Sequence, residues 1–484
     1  MANTSNILGS SSTPPSTSEA KAAQQRRRVY FASAIGSAIE FYDFLIYVTA
    51  ASLVFAKVFF ADATPFVATL ASFGTLAVGY VARPLGGIIF GYFGDRVSRK
   101  STLIWTLSIM GVATTLIGLI PTPAQIGVLA PILLVSLRII QGLAVGGEWG
   151  GSVLMSVEHA KKETRGLLGS ATQMGAAGGL LLSFAAFAAL GGLSQEEFLA
   201  WGWRLPFLAT FVLLGIGLWV RLSILESPVH EAEKAKWAAG EKPKAPLFTL
   251  LRDYPGRIVL GIGVYAGPFM AYVICTSLLV GHANAVYGIP RQLPLNALMI
   301  ATAGMLVTIP LFGYISDKVG RRTIYIFAAL LTAVHAFTVF PMVFTGSFGT
   351  ILLAYVFSMT LLNAAAIGPI GALLAELYPT SLRYTGVSLS YQFSGVVGGL
   401  GPLIGAALLA PAAPAATQGT DAAVQAAAPV LVENSLGAIL NAAFVTPTEP
   451  GVMKISIMIS VMCVIAALCT WALGDTRKVD LTKI

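Results

Sequence analysis

Along the chain, long apolar stretches of a recurring size alternate with shorter polar ones. A helix crossing a hydrocarbon core of about 30 Å needs roughly 20 apolar residues at about 1.5 Å each. Twelve runs of that kind are present, at 29–56, 66–93, 102–121, 127–157, 166–190, 204–222, 256–281, 295–316, 323–343, 350–377, 385–410 and 451–473. Backbone N–H and C=O groups find no water inside hydrocarbon, so each run is expected to be an α-helix. The charged segment 223–255, with Glu226, Glu231, Glu233, Lys234, Lys236, Glu241, Lys242 and Lys244, divides the runs into two sets of six, 29–222 and 256–473. Residues 1–28 read as a disordered cytoplasmic tail, 411–450 as a long Ala- and Pro-rich outer loop, and 474–484 as a second cytoplasmic tail. The expected fold class is an all-α membrane protein with twelve transmembrane helices in two pseudo-symmetric six-helix halves.

Composition supports lipid as the solvent, because 56% of residues are hydrophobic and only 11% charged. The cations are unevenly placed. If both termini and the even-numbered connections share a side, that side holds 24 of the 30 lysines and arginines. Positive residues stay cytoplasmic, so a multi-pass protein of the plasma (inner) membrane with both termini inside is expected. The net charge of +8 is then a topology signal, and no nucleic-acid partner is expected. Cys275, Cys463 and Cys469 lie in apolar runs at spacings that suit neither a metal nor a disulfide framework. No nucleophile, metal or cofactor signature of an enzyme is present, so neither a cofactor nor a catalytic residue is expected.

The two halves repeat each other. After the second run the sequence reads Gly91-Tyr-Phe-Gly94-Asp95-Arg96-Val97-Ser98-Arg99-Lys100, and after the eighth Gly313-Tyr-Ile-Ser316-Asp317-Lys318-Val319-Gly320-Arg321-Arg322. A second pair follows the fourth and tenth runs, Glu158 with Arg165 and Glu376 with Arg383, at the same spacing. Repeated halves suit a carrier whose halves rock about a central site. With these motifs the whole chain resembles the major facilitator superfamily, although Ser98 replaces the usual glycine of the first loop. Within it the chain is similar to the metabolite:proton symporters, which include permeases for α-ketoglutarate, citrate, shikimate and proline/betaine. The strings that carry this are Gly36-Ser-Ala-Ile-Glu40-Phe-Tyr-Asp43-Phe44, Arg83-Pro84-Leu-Gly86-Gly87, Arg138-Ile-Ile-Gln141-Gly142, Gly146-Gly147-Glu148-Trp149-Gly150-Gly151 and Glu376-Leu-Tyr-Pro379-Thr-Ser-Leu-Arg383. The fifth run, with Gly175-Ala-Ala-Gly178-Gly179, lacks the Gly-Pro pair of many drug antiporters, and the resemblance therefore implies uptake.

Ionisable groups in mid-bilayer are functional candidates because they are costly to bury. Glu40 and Asp43 share a helix face, extended by Gly36 and Tyr47, and two such close carboxylates suit an exchangeable proton. Glu40, Asp43 and Glu148 are the proton-coupling candidates. Arg83 and Arg138 are the candidates for gripping a substrate carboxylate, with Gln141 and Tyr47 beside them, because a guanidinium binds carboxylates in bidentate fashion. Asp43 and Arg83 are the expected partners of Arg138 and Glu148. The competing reading of all these charges is structural pairing. Gly142, Gly146 and Gly150 read as a packing face, and His282 and His335 as packing residues. Tyr265, Tyr272, Thr276, Asn284, Asn363 and Gln392 are polar enough to line a cavity.

The repeated loops suggest a gate. Asp95 and Asp317 at helix ends are expected to pair with arginine or lysine across the halves, with Gly91, Arg96, Arg99, Lys100, Arg321 and Arg322 around them. Glu158, Arg165, Glu376 and Arg383 complete the network. The expected partners are protons, the lipid bilayer and a small organic acid or zwitterionic metabolite, with the protein functional as a monomer. The expected function is secondary active, proton-coupled uptake of a small carboxylate-bearing metabolite by alternating access, and a facilitator or exchanger, a proline-betaine-type zwitterion transporter, a channel and a transporter-like membrane sensor are the alternatives.

Overall fold

The computed structural model describes residues 17–61, 64–238, 246–409 and 449–476. Among them the chain is helical throughout, with no strand. Eleven helices are long and apolar enough to cross a membrane. They are α1 (Ala23–Ala50), α2 (Gly74–Arg96), α3 (Arg99–Leu119), α4 (Leu129–His159), α5 (Lys162–Ala188), α6 (Arg204–Leu222), α7 (Pro255–Tyr287), α8 (Gln292–Val319), α10 (Phe348–Ala375), α11 (Thr380–Leu409) and α12 (Pro450–Leu473). The ninth run forms α9 (Arg321–His335), then a short break and a further helix Val339–Phe344. Pro341 explains the break, since it has no N–H for the carbonyl of Phe337 and its ring crowds that carbonyl. Together these make up the twelve expected runs, and large apolar side chains such as Phe211, Val212 and Trp219 face outward where lipid would lie.

Two sequence expectations change. The helix containing α1 already begins at Thr17, so the segment before residue 29 is helical wherever it is described. The charged linker holds two helices of its own, Pro228–Ala238 and Pro246–Asp253. Most of the expected outer loop, and the tail beyond residue 476, lie outside the described residues.

Helix interruptions are repaired by side chains from neighbours. Pro268 in α7 leaves the carbonyl of Val264 without its helical partner, and the Tyr325 hydroxyl of α9 donates to it. In the wide turn Ile274–Leu278 of α7, the Cys275 carbonyl accepts from Tyr355 of α10 at 2.9 Å. Such bonds hold the broken helices of the C-terminal half in one packed body where no water is at hand.

The α2–α4 contact positions the site. A Cβ built on Gly146 would lie 2.0 Å from the Arg83 carbonyl oxygen, and one on Gly86 would lie 1.9 Å from the Leu143 oxygen. The expected packing face is thus confirmed at Gly146, where only a glycine lets the backbones approach this closely. Gly146→Ala is expected to force α2 and α4 apart and to displace Arg83. The thermal unfolding midpoint in detergent should fall by several degrees and transport should drop severalfold; an unchanged midpoint would show that the contact has slack.

Candidate functional site

A cavity of about 660 Å³ lies between the two halves. The N-terminal half supplies Glu40, Phe41, Phe44 and Val48 from α1, Tyr80 and Arg83 from α2, and Ser183 from α5. The C-terminal half supplies Tyr265, Phe269, Tyr272 and Thr276 from α7, Leu298 from α8, and Tyr391 and Gln392 from α11. From Glu40 and Arg83 it runs toward the end of the bundle away from the linker. Its floor is a stack of rings that crosses between the halves. Trp149 of α4 lies 3.5 Å from Tyr391 of α11 at 7°, and Tyr391 lies 5.0 Å from Tyr265 of α7 at 13°. The Trp149 Nε1–H donates to Gln173 at 3.2 Å, which fixes the indole.

The five deep charges do not behave alike. Arg83 is half-buried on the cavity wall, its guanidinium 4.8 Å from the Phe44 ring centre and 4.6 Å from that of Tyr80. It forms no ion pair among the described residues. Glu40 on the same wall is only 4% exposed, and its Oε2 has no hydrogen-bond partner. Asp43 accepts from Thr114 of α3 at 3.0 Å and from Thr210 of α6 at 2.8 Å. Arg138 donates to Gln141 and lies 4.0 Å over the Tyr47 ring, while Gln141 donates to Thr114 at 2.8 Å. Arg138, Gln141, Tyr47 and Asp43 therefore form a buried network behind the wall, and Arg138, Gln141 and Tyr47, expected beside the substrate, do not line the cavity in this conformation.

Glu148 holds a second surprise. Its partner is Arg221 of α6, with Thr106 donating at 2.6 Å, so neither Asp43 nor Arg83 serves the role expected from the sequence. Arg221 reads as an inner-loop cation, yet it occupies the last turn of an apolar run, and that position was the one signal of its burial. The ring stack was only partly legible, since Tyr265 was expected to line a cavity but Tyr391 was not and Trp149 was not singled out; Gln392 lines the cavity as expected. Tyr272 and Thr276 line it as expected. Asn284 instead donates to the Ile289 carbonyl at 3.0 Å, and Asn363 lies in a separate small pocket with His335.

At the linker end the halves are latched. Asp95 at the end of α2 accepts from the backbone N–H groups of Tyr384 and Thr385, at 2.8 and 3.0 Å, and from the Thr385 hydroxyl at 2.8 Å. Asp317 at the end of α8 accepts from the N–H groups of Gly166 and Leu167 at 2.7 and 2.9 Å. Each aspartate thus caps the start of a helical segment in the opposite half. The expected aspartate pairing with cations across the halves is corrected, because exposed N–H groups at a helix start are the nearer and better-aligned donors. Asp317 does bond Arg321 at 3.2 Å, but within its own half.

The cross-half ion pairs belong to the glutamates. Glu158 binds Arg99 of its own half and Arg383 of the other, the latter at 2.9 Å. Glu376 binds Arg321 of its own half at 3.1 Å and Arg165 of the other at 3.6 Å. Gly91 lets α2 meet Thr385 closely, since a Cβ there would lie 2.9 Å from the Thr385 Cα. Two expected gate cations point elsewhere: Arg322 stacks over Trp471 and Lys100 donates to the Leu222 carbonyl, while Arg96 lies over the Tyr92 ring. The linker adds Ser227, which donates to Glu158, and His230, whose imidazole burial and the Arg99 charge lower to about 4, so that it stays neutral.

A central cavity between two repeated helical halves, closed at one end by a latch, defines an integral membrane transporter. The sequence profile of the Major Facilitator Superfamily matches residues 33–402 and again 293–430, and the chain belongs to that family. It is 42% identical over 380 residues to the inner membrane metabolite transport protein YhjE of Escherichia coli K12, covering 77% of this chain and 85% of that one. It is 40% identical over 388 residues to the shikimate transporter of the same organism, covering 79% and 88%. The fold is also that of the proton:xylose symporter XylE bound to 6-bromo-6-deoxy-D-glucose, with a TM-score of 0.72 at 18% identity over 95% of this chain and 98% of that one. The chain is a metabolite transporter, not an enzyme.

Proposed function

We propose that this transporter takes up a small carboxylate-bearing metabolite together with protons by alternating access, with both termini cytoplasmic and the cavity facing outward in this conformation. The observation that carries the reading is the pair Glu40 and Arg83, two opposite charges on one cavity wall with no ion pair between them or to any other of the described residues. Arg83 offers a planar, permanently charged fork to a carboxylate, and the flanking rings of Phe44 and Tyr80 hold it flat. Glu40 offers a site for the travelling proton within reach of the same cavity. Asp43 and Glu148, the other coupling candidates, are tied into the buried network and into Arg221. The printed role of one relative, shikimate transport, supports this reading, since shikimate carries one carboxylate. The latch supplies the alternation: it holds while the cavity is open at the far end and breaks for the linker end to open.

Glu40→Gln tests the coupling role. The amide cannot release a proton, so exchange of labelled substrate across the membrane should persist while uphill uptake falls at least tenfold. Uptake that ignores an uncoupler, or that follows a sodium gradient, would refute proton coupling.

A further inference from the structure

We propose that the carrier moves one singly charged carboxylate with one proton in an electrically neutral step, so that a pH gradient drives it and the membrane potential does not. The inference rests on the carboxylate–proton symport proposed above and adds the valence of the substrate and the charge balance of the cycle.

A census of buried charge carries it. In the latch, Asp95, Asp317, Glu158 and Glu376 are matched by Arg99, Arg321, Arg165 and Arg383. Deep in the spans of the N-terminal half, Glu40, Asp43 and Glu148 stand with Arg83, Arg138 and Arg221, three of each sign, while the half-buried Arg204 at the start of α6 donates to the Gly118 and Ile120 carbonyls. Glu148 and Arg221 neutralise each other, and Asp43 and Arg138 are fixed behind the wall. Glu40 and Arg83 alone, among the described residues lining the cavity, carry charge. The opposite wall presents rings, hydroxyls and the Gln392 amide, with no cation for a second carboxylate. The titratable and charged groups around Glu40 are Asp43 on its own helix, Arg83 on α2, Glu148 on α4, Arg221 on α6 and Tyr391 on α11.

Consider the two states that must pass through the closed, water-poor arrangement. In the empty carrier an ionised Glu40 balances Arg83. In the loaded carrier a proton is bonded to a Glu40 carboxylate oxygen, and the substrate carboxylate on Arg83 supplies the negative charge that Glu40 has lost. Both states are neutral. A proton alone or an anion alone leaves one net charge in a low-dielectric interior, which is strongly disfavoured, so half-loaded carriers are held back. A dicarboxylate with one proton leaves one negative charge, and a zwitterion with one proton leaves one positive charge.

The test uses the purified full chain in proteoliposomes, with protein-free vesicles as the blank. Labelled shikimate, quinate, gluconate and 4-hydroxybenzoate are the singly charged probes, succinate and citrate the multiply charged ones, and glycine betaine the zwitterion. A pH gradient and a valinomycin-set potassium potential of 100 mV are imposed separately. Each net charge moved would shift accumulation by about 50-fold per 100 mV. The expected result is that at least one singly charged acid accumulates with the pH gradient and changes less than twofold under a potential of either sign, while succinate, citrate and betaine do not accumulate. Accumulation driven by the potential alone overturns neutrality, and succinate transported as well as a singly charged acid overturns the valence; either leaves carboxylate symport standing. If no carboxylate accumulates and Arg83→Ala matches the native chain, the symport reading and this inference fall together.

Discussion

Asp95→Asn is expected to lower transport at least tenfold while substrate binding remains measurable. The carboxylate accepts three hydrogen bonds at the start of the segment that opens α11, two from backbone N–H groups and one from the Thr385 hydroxyl. An asparagine has one accepting oxygen, and its NH2 group would face a donor. Hydrogen bonds to a charged group contribute roughly 1.5–3 kcal/mol each, and a negative charge at a helix start about 0.3–1 kcal/mol more. Losing part of that set shifts the balance between the two end-open states by a few kcal/mol, a tenfold or larger change in population. Binding survives because Asp95 is remote from the cavity wall. Cysteines placed at the linker end should become more reactive toward a membrane-impermeant thiol reagent in the variant. Wild-type transport rates would show that the cap does not set the conformational balance.

Arg83→Lys is expected to weaken binding of a carboxylate substrate at least tenfold although the charge is kept. A lysine ammonium is a point donor that cannot grip both carboxylate oxygens, and it loses the flat contact with Phe44 and Tyr80 that fixes the guanidinium. Arg138→Lys makes the contrast. Arg138 is held behind the wall by Gln141 and Tyr47, so its conservative change should lower stability more than affinity. Direct binding of labelled substrate to both variants reads the difference. Equal affinities in the two, or an undiminished affinity in Arg83→Lys, would remove Arg83 from the binding site.

The candidate site was legible in the sequence as a set of residues but not as a set of contacts. Glu40 and Arg83 stood out because charge in a long apolar run is conspicuous whatever it touches. The same rule flagged Asp43, Arg138 and Glu148, yet it cannot separate a charge that faces a cavity from one neutralised by a neighbour. Arg221 was passed over because it sits one residue from a run's end, where a cation is ordinarily a topology marker. The gate motifs were legible through repetition, but repetition did not show that Asp95 and Asp317 seek backbone N–H groups while the cross-half ion pairs fall to Glu158 and Glu376.

By itself, then, the sequence determined the helices, their number and the two-fold plan, because hydrocarbon leaves a spanning backbone no alternative to helix and run length alone meets the bilayer's thickness. It also determined the resemblance to metabolite:proton symporters, which is carried by local strings of residues. Only the tertiary structure decided which helix faces meet across the halves. That choice depends on close backbone approaches such as Gly146 against Arg83 and on pairings between residues tens to hundreds of positions apart, such as Glu148 with Arg221 and Asp95 with Tyr384. Burial in a bundle is a property of the assembled surfaces, so the guanidinium that lines the cavity, Arg83 among the described residues, could be told from its buried counterparts only once the helices were packed.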